Sequence, residues 1–279
     1  MAARPLNAIG WSEARAKLSA PIFAPLTPIL ARLPGDRWPS HAELSEAAAG
    51  VTTSRGVQLR FVAPRERAAE ARPYYELRIA DSGEVETRAE NWHDLFNALA
   101  WIAFPKAKAR INAQHAAILG ERGEAEARRR GPERDALTLF DEGGVIVASS
   151  APALLRLIRE REWKALFWER RAELDARMRF FAFGHALFEK ALEPYVGIVA
   201  KTVFVPVDEL FFMLPSEAQV EHADALVAAH FGSAARFQTP KAMDPLPVLG
   251  VPGWHPDTAR ESFYDDADHF RGRPDAREA

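Results

Sequence analysis

The chain has 279 residues, 48% of them hydrophobic and 27% charged, which is enough apolar material for a folded core and excludes a mainly disordered chain. Lys plus Arg number 36 against 39 Asp plus Glu, a net charge of -3 that gives no reason to expect nucleic acid as a partner. There is no cysteine, so disulfides, thiolate metal sites and cysteine nucleophiles are excluded.

Over the first fifty residues the pattern predicts short helices at 11–18, 22–33 and 40–49, the last opened by Ser40 as N-cap. Pro5, Pro21, Pro25, Pro28 and Pro34, with Glu13, Arg15 and Lys17, interrupt the apolar residues of 1–33, and no signal peptide is expected there. No run approaches the ~20 apolar residues that span a bilayer, so the expectation is a soluble, cytoplasmic protein with no membrane partner.

Strand patterns follow. Val57, Leu59 and Phe61 alternate with polar residues, as do Tyr75, Leu77 and Ile79, and Asp81-Ser82-Gly83 then predicts a hairpin turn into Val85–Arg88. Helices are predicted over 92–104 and 105–120, broken at Phe104 because Pro105 suits the first turn of a new helix. Arg128-Arg129-Arg130 lies among Glu121, Glu124, Glu126 and Glu133 and reads as a solvated face. A second hairpin is predicted from Ala136–Phe140 through Asp141-Glu142-Gly143-Gly144 to Val145–Val147, with a glycine at positive φ.

From 152 to 193 the pattern predicts a short helix and a long one, then a strand at Thr202–Val207 and a helix at 216–231. Pro240, Pro245, Pro247, Pro252 and Pro256 mark an extended surface arm from Thr239, and the residues after Pro274 are expected to fray. The expected class is α+β, mainly helical with short antiparallel hairpins, in one continuous domain. Its parts would be an N-terminal helical segment (1–50), a core (51–238) and a C-terminal arm packed on that core (239–279).

Several segments together resemble one family. They are Asn91-Trp92-His93-Asp94-Leu95-Phe96-Asn97-Ala98-Leu99, then Trp101, Phe104-Pro105, Lys108, Asn112 and His115, followed by Arg134 to Glu142. Gly184-His185-Ala186-Leu187, Pro245 to Gly250, Gly253-Trp254 and Phe263-Tyr264-Asp265-Asp266 complete the set. In this order, from about residue 40 to 270, they resemble the bacterial DUF3025 family. The resemblance implies no reaction, cofactor or fold.

The candidate site residues are polar groups at positions where packing favours apolar ones. On a helix over 91–104, Trp92, Leu95, Phe96, Leu99, Ile102 and Ala103 share one arc, and His93, Asp94, Asn97 and Trp101 the opposite one. Lys and Glu are usual on a solvent face, so His and Asn point to a second packed surface or a pocket wall. Asn91 and Asp94 also suit the helix start as N-cap and first-turn acid.

On the next helix His115 shares the arc of Ile111, Ile118 and Leu119, while Lys108, Asn112 and His115 form a polar line able to meet a small anion. A core histidine bonded to a carbonyl or amide explains His115 equally well. Asp135, at the head of the predicted strand, is a candidate catalytic carboxylate, although local pairing with Arg134 also accounts for it. In the predicted long helix His185 and Glu189 stand at i,i+4 among apolar residues, and a buried carboxylate there needs a partner, whether His185, Lys201, Arg134 or a metal.

Asp265, Asp266, Asp268 and His269 offer metal-ligand chemistry without calcium-loop glycines, and no metal is expected there. There is no P-loop, dinucleotide fingerprint, nucleophile elbow or HExxH.

Two functions remain open. One is a hydrolase or transferase of a small-molecule substrate, with catalytic candidates His93, Asn97, His115, Asp135, His185 and Glu189, Asn112 in the pocket wall, and a metal optional. The other is a non-catalytic binding or scaffold protein whose buried polar residues specify the fold. Contact with nucleic acid through Lys106, Lys108, Arg110 and Arg128–Arg130 is the weaker third. Cofactor and oligomeric state stay unknown at this level.

Overall fold

The computed structural model describes residues 9–65, 74–232 and 239–272. The expected fraying after Pro274 therefore lies outside the described residues. The class is α+β.

Its centre is a four-stranded sheet in the order β4-β3-β5-β6, from β3 (Gly144–Ser149), β4 (Met178–Ala182), β5 (Val199–Pro206) and β6 (Pro245–Pro247). β3 runs antiparallel to β4 and parallel to β5, and β6 closes the far edge antiparallel to β5. Every residue of β3 is buried, as its unbroken apolar run demands of a strand covered on both faces. Val145 and Val147 face one core, Ile146 and Ala148 the other.

The first core is filled by α1 (Trp11–Lys17), a 3₁₀ segment (Pro21–Leu26), α2 (Thr27–Leu30), α3 (His41–Ala47) and α5 (Trp92–Ala103). α8 (Pro152–Glu160), α9 (Arg171–Arg177) and α10 (His185–Ala191) complete it, with a π turn at Ala165–Glu169. The second core lies under α6 (Pro105–Arg128), α7 (Pro132–Gly143) and α11 (Ser216–Gly232). α3 starts at the expected cap, where Ser40 and Glu43 form a reciprocal capping box.

The expected break between α5 and α6 is present. Phe104 leaves the helical region at φ -129°, ψ 57°, and Pro105 opens the next helix. Asp224 of α11 caps that start, accepting from the Lys106 amide at 3.0 Å and the Ala107 amide at 2.8 Å. α6 runs beyond residue 120 to a break at Gly123, φ 60°.

Neither expected hairpin forms. Tyr75–Ser82 is helix α4, whose Ile79 and Ala80 are buried. Gly83, at φ 67°, ends it by donating its amide to Ile79 O, so the turn-like Asp81-Ser82-Gly83 is a helix stop. The strands on either side, β1 (Arg60–Val62) and β2 (Glu84–Glu86), pair in parallel.

In the second case Ala136–Phe140 lies inside α7, and neither glycine after it has positive φ. Gly144 is required for a different reason. A Cβ there would come within 2.6 Å of the Phe140 ring, where the helix turns directly into β3.

The long helix expected up to 193 is divided, because Met178–Ala182 is strand β4, with helix at Arg171–Arg177 before it and at His185–Ala191 after it. The segment from Thr239 folds back as β6 and several 3₁₀ turns, burying Leu246, Tyr264 and Phe270. No helix among the described residues is long and apolar enough to cross a membrane.

Candidate functional site

The end of the sheet where β3 begins and β4 finishes brings α5 and α10 from one layer against α6 and α7 from the other. A polar cleft of about 320 Å³ opens there. Into it reach Glu76 of α4, Arg88, His93, Asp94 and Asn97 around α5, His115 of α6, Arg134, Thr138, Asp141 and Glu142 of α7, and His185 of α10.

His93 sits one residue after the start of α5, whose N-cap Asn91 accepts the Asp94 amide at 3.0 Å. Trp92 and Phe96 are fully buried on the other side of α5, which fixes the helix and turns His93 and Asn97 to the cleft. Arg88 holds Asp94 through both carboxylate oxygens at 2.8 Å, and these bonds keep the Asp94 carboxyl below its usual range despite burial.

His185 is the first residue of α10. A Cβ on Gly184 before it would come within 2.5 Å of the Gly143 amide nitrogen, so only glycine allows α10 to approach the end of α7 this closely. That approach sets His185 Nδ1 2.8 Å from the Asp141 carbonyl oxygen. A carbonyl only accepts, so Nδ1 carries a proton.

His93 Nδ1 meets Glu189 Oε2 at 2.9 Å and is likewise a donor to the ionised carboxylate. Both Nε2 atoms then face each other at 3.1 Å, the rings nearly perpendicular. Two lone pairs at that distance repel, and a proton between them turns the contact into a hydrogen bond. The hydrogen bond to Glu189 raises the pKa of His93, whereas burial lowers that of His185 to about 3. Of the two rings His93 is therefore the one that holds a proton more readily, and a proton on its Nε2 would be donated to His185.

Below the histidines lies a charge buried from water. Lys108, only 4% exposed, donates to Asp141 Oδ1 at 2.6 Å and to Asn97 Oδ1 at 2.9 Å, and stands over the Trp101 ring. Asn97 in turn donates to the Tyr75 hydroxyl at 3.0 Å. Burial raises the pKa of Asp141, but the Lys108 ammonium outweighs it and holds the carboxyl below its usual range.

Asn112 donates to the Glu76 carboxylate at 2.7 Å, and burial of that carboxyl lifts it to about 6. His115 is buried, as expected, and burial lowers it to about 4. Its Nδ1 accepts from Arg134 Nε at 3.3 Å, so the remaining proton of this neutral ring is on Nε2.

Five of the six catalytic candidates thus border the cleft or support its wall: His93, Asn97, His115 and His185 in it, Glu189 behind His93. Asp135 does not. It lies in the first turn of α7, about 100° round from Arg134, and is outside the cleft lining. The expected polar line of Lys108, Asn112 and His115 is real, but the first two are engaged by Asp141, Asn97 and Glu76, leaving His115 to face the cleft.

Sequence reasoning missed Glu76, Arg88, Thr138 and the site role of Asp141. Arg134, Thr138 and Asp141 are spaced i, i+4, i+7 on α7, a signal hidden by reading 136–140 as a strand. Among the described residues no group of three or more His, Asp or Glu side chains is placed to hold a metal. Asp265 instead pairs with Lys164, and Asp266 bonds the Asp268 amide.

A larger groove of about 790 Å³ runs between α2, β4 and α11. It is mostly apolar, holds no histidine, and its one buried acid, Asp224, is engaged in capping α6. The smaller cleft has the titratable groups and is the candidate site.

No curated protein and no solved structure matches the chain. The family model described as a protein of unknown function, DUF3025, matches residues 59–274, which include every residue named in the cleft, and the chain belongs to that family.

Proposed function

We propose that this chain is an enzyme of the bacterial cytoplasm, a hydrolase or transferase that moves a proton to or from a small polar substrate bound in the cleft. His93 is the acid–base group. The observation that carries this reading is the run Glu189, His93, His185 and the Asp141 carbonyl, in which each imidazole is held at Nδ1 and the two Nε2 atoms stand 3.1 Å apart, the distance of a shared proton.

Glu189 orients His93 and stabilises its imidazolium, and neutral His185 keeps the Nε2 proton pointing along the cleft wall. A substrate atom that competes with His185 for that proton receives it from His93, and the reverse transfer restores the pair. Glu189 acts through His93 and is a positioning residue. The absence of cysteine agrees with a reducing compartment.

The test is nitrogen NMR of histidine-labelled protein. At neutral pH His93 should be doubly protonated and His185 a neutral Nδ1–H tautomer, and Glu189→Gln should lower the His93 titration. If His93 titrates identically in wild type and variant, the relay is absent and the proposal fails.

The 3.1 Å separation also suits a second reading, since two imidazole nitrogens on one tetrahedral zinc-like ion at ~2.0–2.1 Å stand about 3.3 Å apart, a few tenths of an ångström from the distance here. Water or substrate would complete such a shell. Metal analysis of the purified protein decides: one ion per chain, lost in His185→Ala, marks the metal, and a metal-free active protein marks the shared proton.

A further inference from the structure

The end of the cleft away from His93 is rich in donors, and the one carboxylate beside them, Glu76, is already bonded by Asn112 and is pushed by burial toward its protonated form. His115 presents an Nε2–H, because its Nδ1 is occupied as acceptor from Arg134. That N–H has no acceptor among the described residues and is not among the buried unpartnered atoms, and His115 lines the cleft.

Arg134, 12% exposed, uses Nε on His115 and Nη1 on the Glu126 carbonyl at 3.0 Å, leaving Nη2 without a hydrogen bond to the described residues. The Glu126 carboxylate is 3.9 Å from Arg134 and already accepts the Gly131 amide at 2.7 Å while facing Arg122. It is a shared partner and not a dedicated one. Thr138 lies one turn along α7 on the same face, and its hydroxyl bonds no described residue. Arg130 stands at the rim with no ion pair to a described residue, close enough to repel the charge on Arg134.

We propose that Arg134, Arg130, His115 and Thr138 form an oxyanion subsite, and that the substrate carries a phosphate, sulfate or carboxylate group bound there. A guanidinium with a free Nη2, a neutral imidazole N–H and a hydroxyl, converging from two helices, match the oxygens of one small anion. The bound anion would also relieve the repulsion between the two arginines. The opposite end has Glu142, Asp141 and the protonated His93, so a bound molecule would lie with its anionic group at α7 and its reacting group at α5. This inference takes its word substrate from the acid–base reading above, but the subsite itself does not depend on His93.

Calorimetric titration of the full chain with sodium phosphate, sodium sulfate and sodium acetate at low ionic strength tests it. Saturable binding of at least one anion is expected, with phosphate and sulfate ahead of acetate for a tetrahedral group and acetate equal or better for a carboxylate. Arg134→Gln should weaken binding about tenfold or more. Arg130→Gln, at an exposed position where folding is not at stake, should weaken it too. His93→Gln should bind as wild type does.

No saturable binding of any of the three anions to wild type, or unchanged affinity in both arginine variants, overturns the subsite. In that event the NMR test of His93 still decides the acid–base reading separately. Binding lost in His93→Gln would place the anion at the histidines and overturn the subsite as drawn.

Discussion

Replacing Lys108 by Met removes the one cation facing Asp141 beneath the cleft while keeping most of the side-chain volume. Lys108 is 4% exposed and Asp141 20%, so water replaces little of the lost interaction. Breaking a buried pair by removing one partner costs about 3–5 kcal/mol, because the other charge stays buried. The partial exposure of Asp141 lowers the expectation to about 2–4 kcal/mol. Loss of the Asn97 bond and of the cation over Trp101 is contained in that range, since these contacts share one ammonium and do not add.

The double variant Lys108→Met, Asp141→Asn should recover at least half of the loss, because no buried charge is left. The pH dependence has a definite sign. In wild type the Asp141 pKa is depressed, so its contribution is present above the unfolded carboxylate range and is lost as pH falls through the folded pKa. In Lys108→Met burial acts alone and raises that pKa, so the penalty fades as acid protonates the carboxyl. Urea denaturation of the four proteins at pH 7.5 and pH 4.5 measures this. A single-variant loss below about 1 kcal/mol at pH 7.5, or one that does not shrink at pH 4.5, would refute the pairing as the support of the site.

Glu189→Gln should destabilise the protein below pH 6.5, where the raised His93 is charged in both folded and unfolded chains, and the loss should vanish as pH rises through the folded His93 pKa; equal losses at pH 5.5 and 9 would count against the pair. Gly184→Ala should cost about 1–3 kcal/mol by overpacking backbone against backbone, and should remove the His185 Nδ1–H signal bonded to the Asp141 carbonyl; a native-like spectrum would show that α10 has room to move. Burial raises Asp224 to about 6, so its ionised form costs stability: wild type should lose about 2 kcal/mol relative to Asp224→Asn between pH 4 and pH 7, and parallel stability curves would contradict the burial of this cap.

The legible parts of the sequence were those where two independent local signals agreed. α5 and α6 had a helical arc of apolar residues, an Asn cap and a Pro at the junction, and the start of α5 and the break between the two emerged correctly. Ser40 as N-cap did the same for the start of α3. The anomalous polar residues on α5, α6 and α10 were visible because a histidine or asparagine on a packed arc conflicts with its surroundings whatever the tertiary structure. His93 and Glu189, 96 positions apart, could be suspected of needing partners, but nothing local could pair them.

The illegible parts had one signal with two meanings. Five residues alternating apolar and polar fit a half-buried strand, but such a window is too short to exclude a helix, and both 75–79 and 136–140 turned out helical. At Met178–Ala182 the opposite confusion arose, because a segment apolar on most sides fits a buried helix and a sheet strand equally well.

The error at 136–144 mattered most for function, and its cause is physical. Asp-Glu-Gly-Gly after a short alternating run is turn chemistry, yet here the glycines serve contact. Gly144 lets the chain pass the Phe140 ring, and Gly184 lets α10 reach the backbone of Glu142 and Gly143. This close crossing puts the Asp141 carbonyl against His185 and its carboxylate over Lys108. With 132–143 as a helix, Arg134, Thr138 and Asp141 fall on one face, opposite Ala136 and Phe140 in the core, and the wall of the cleft follows from the spacing. The cleft exists because the sheet ends in two glycine-permitted crossings, with no apolar side chain between the helices to fill the space above them.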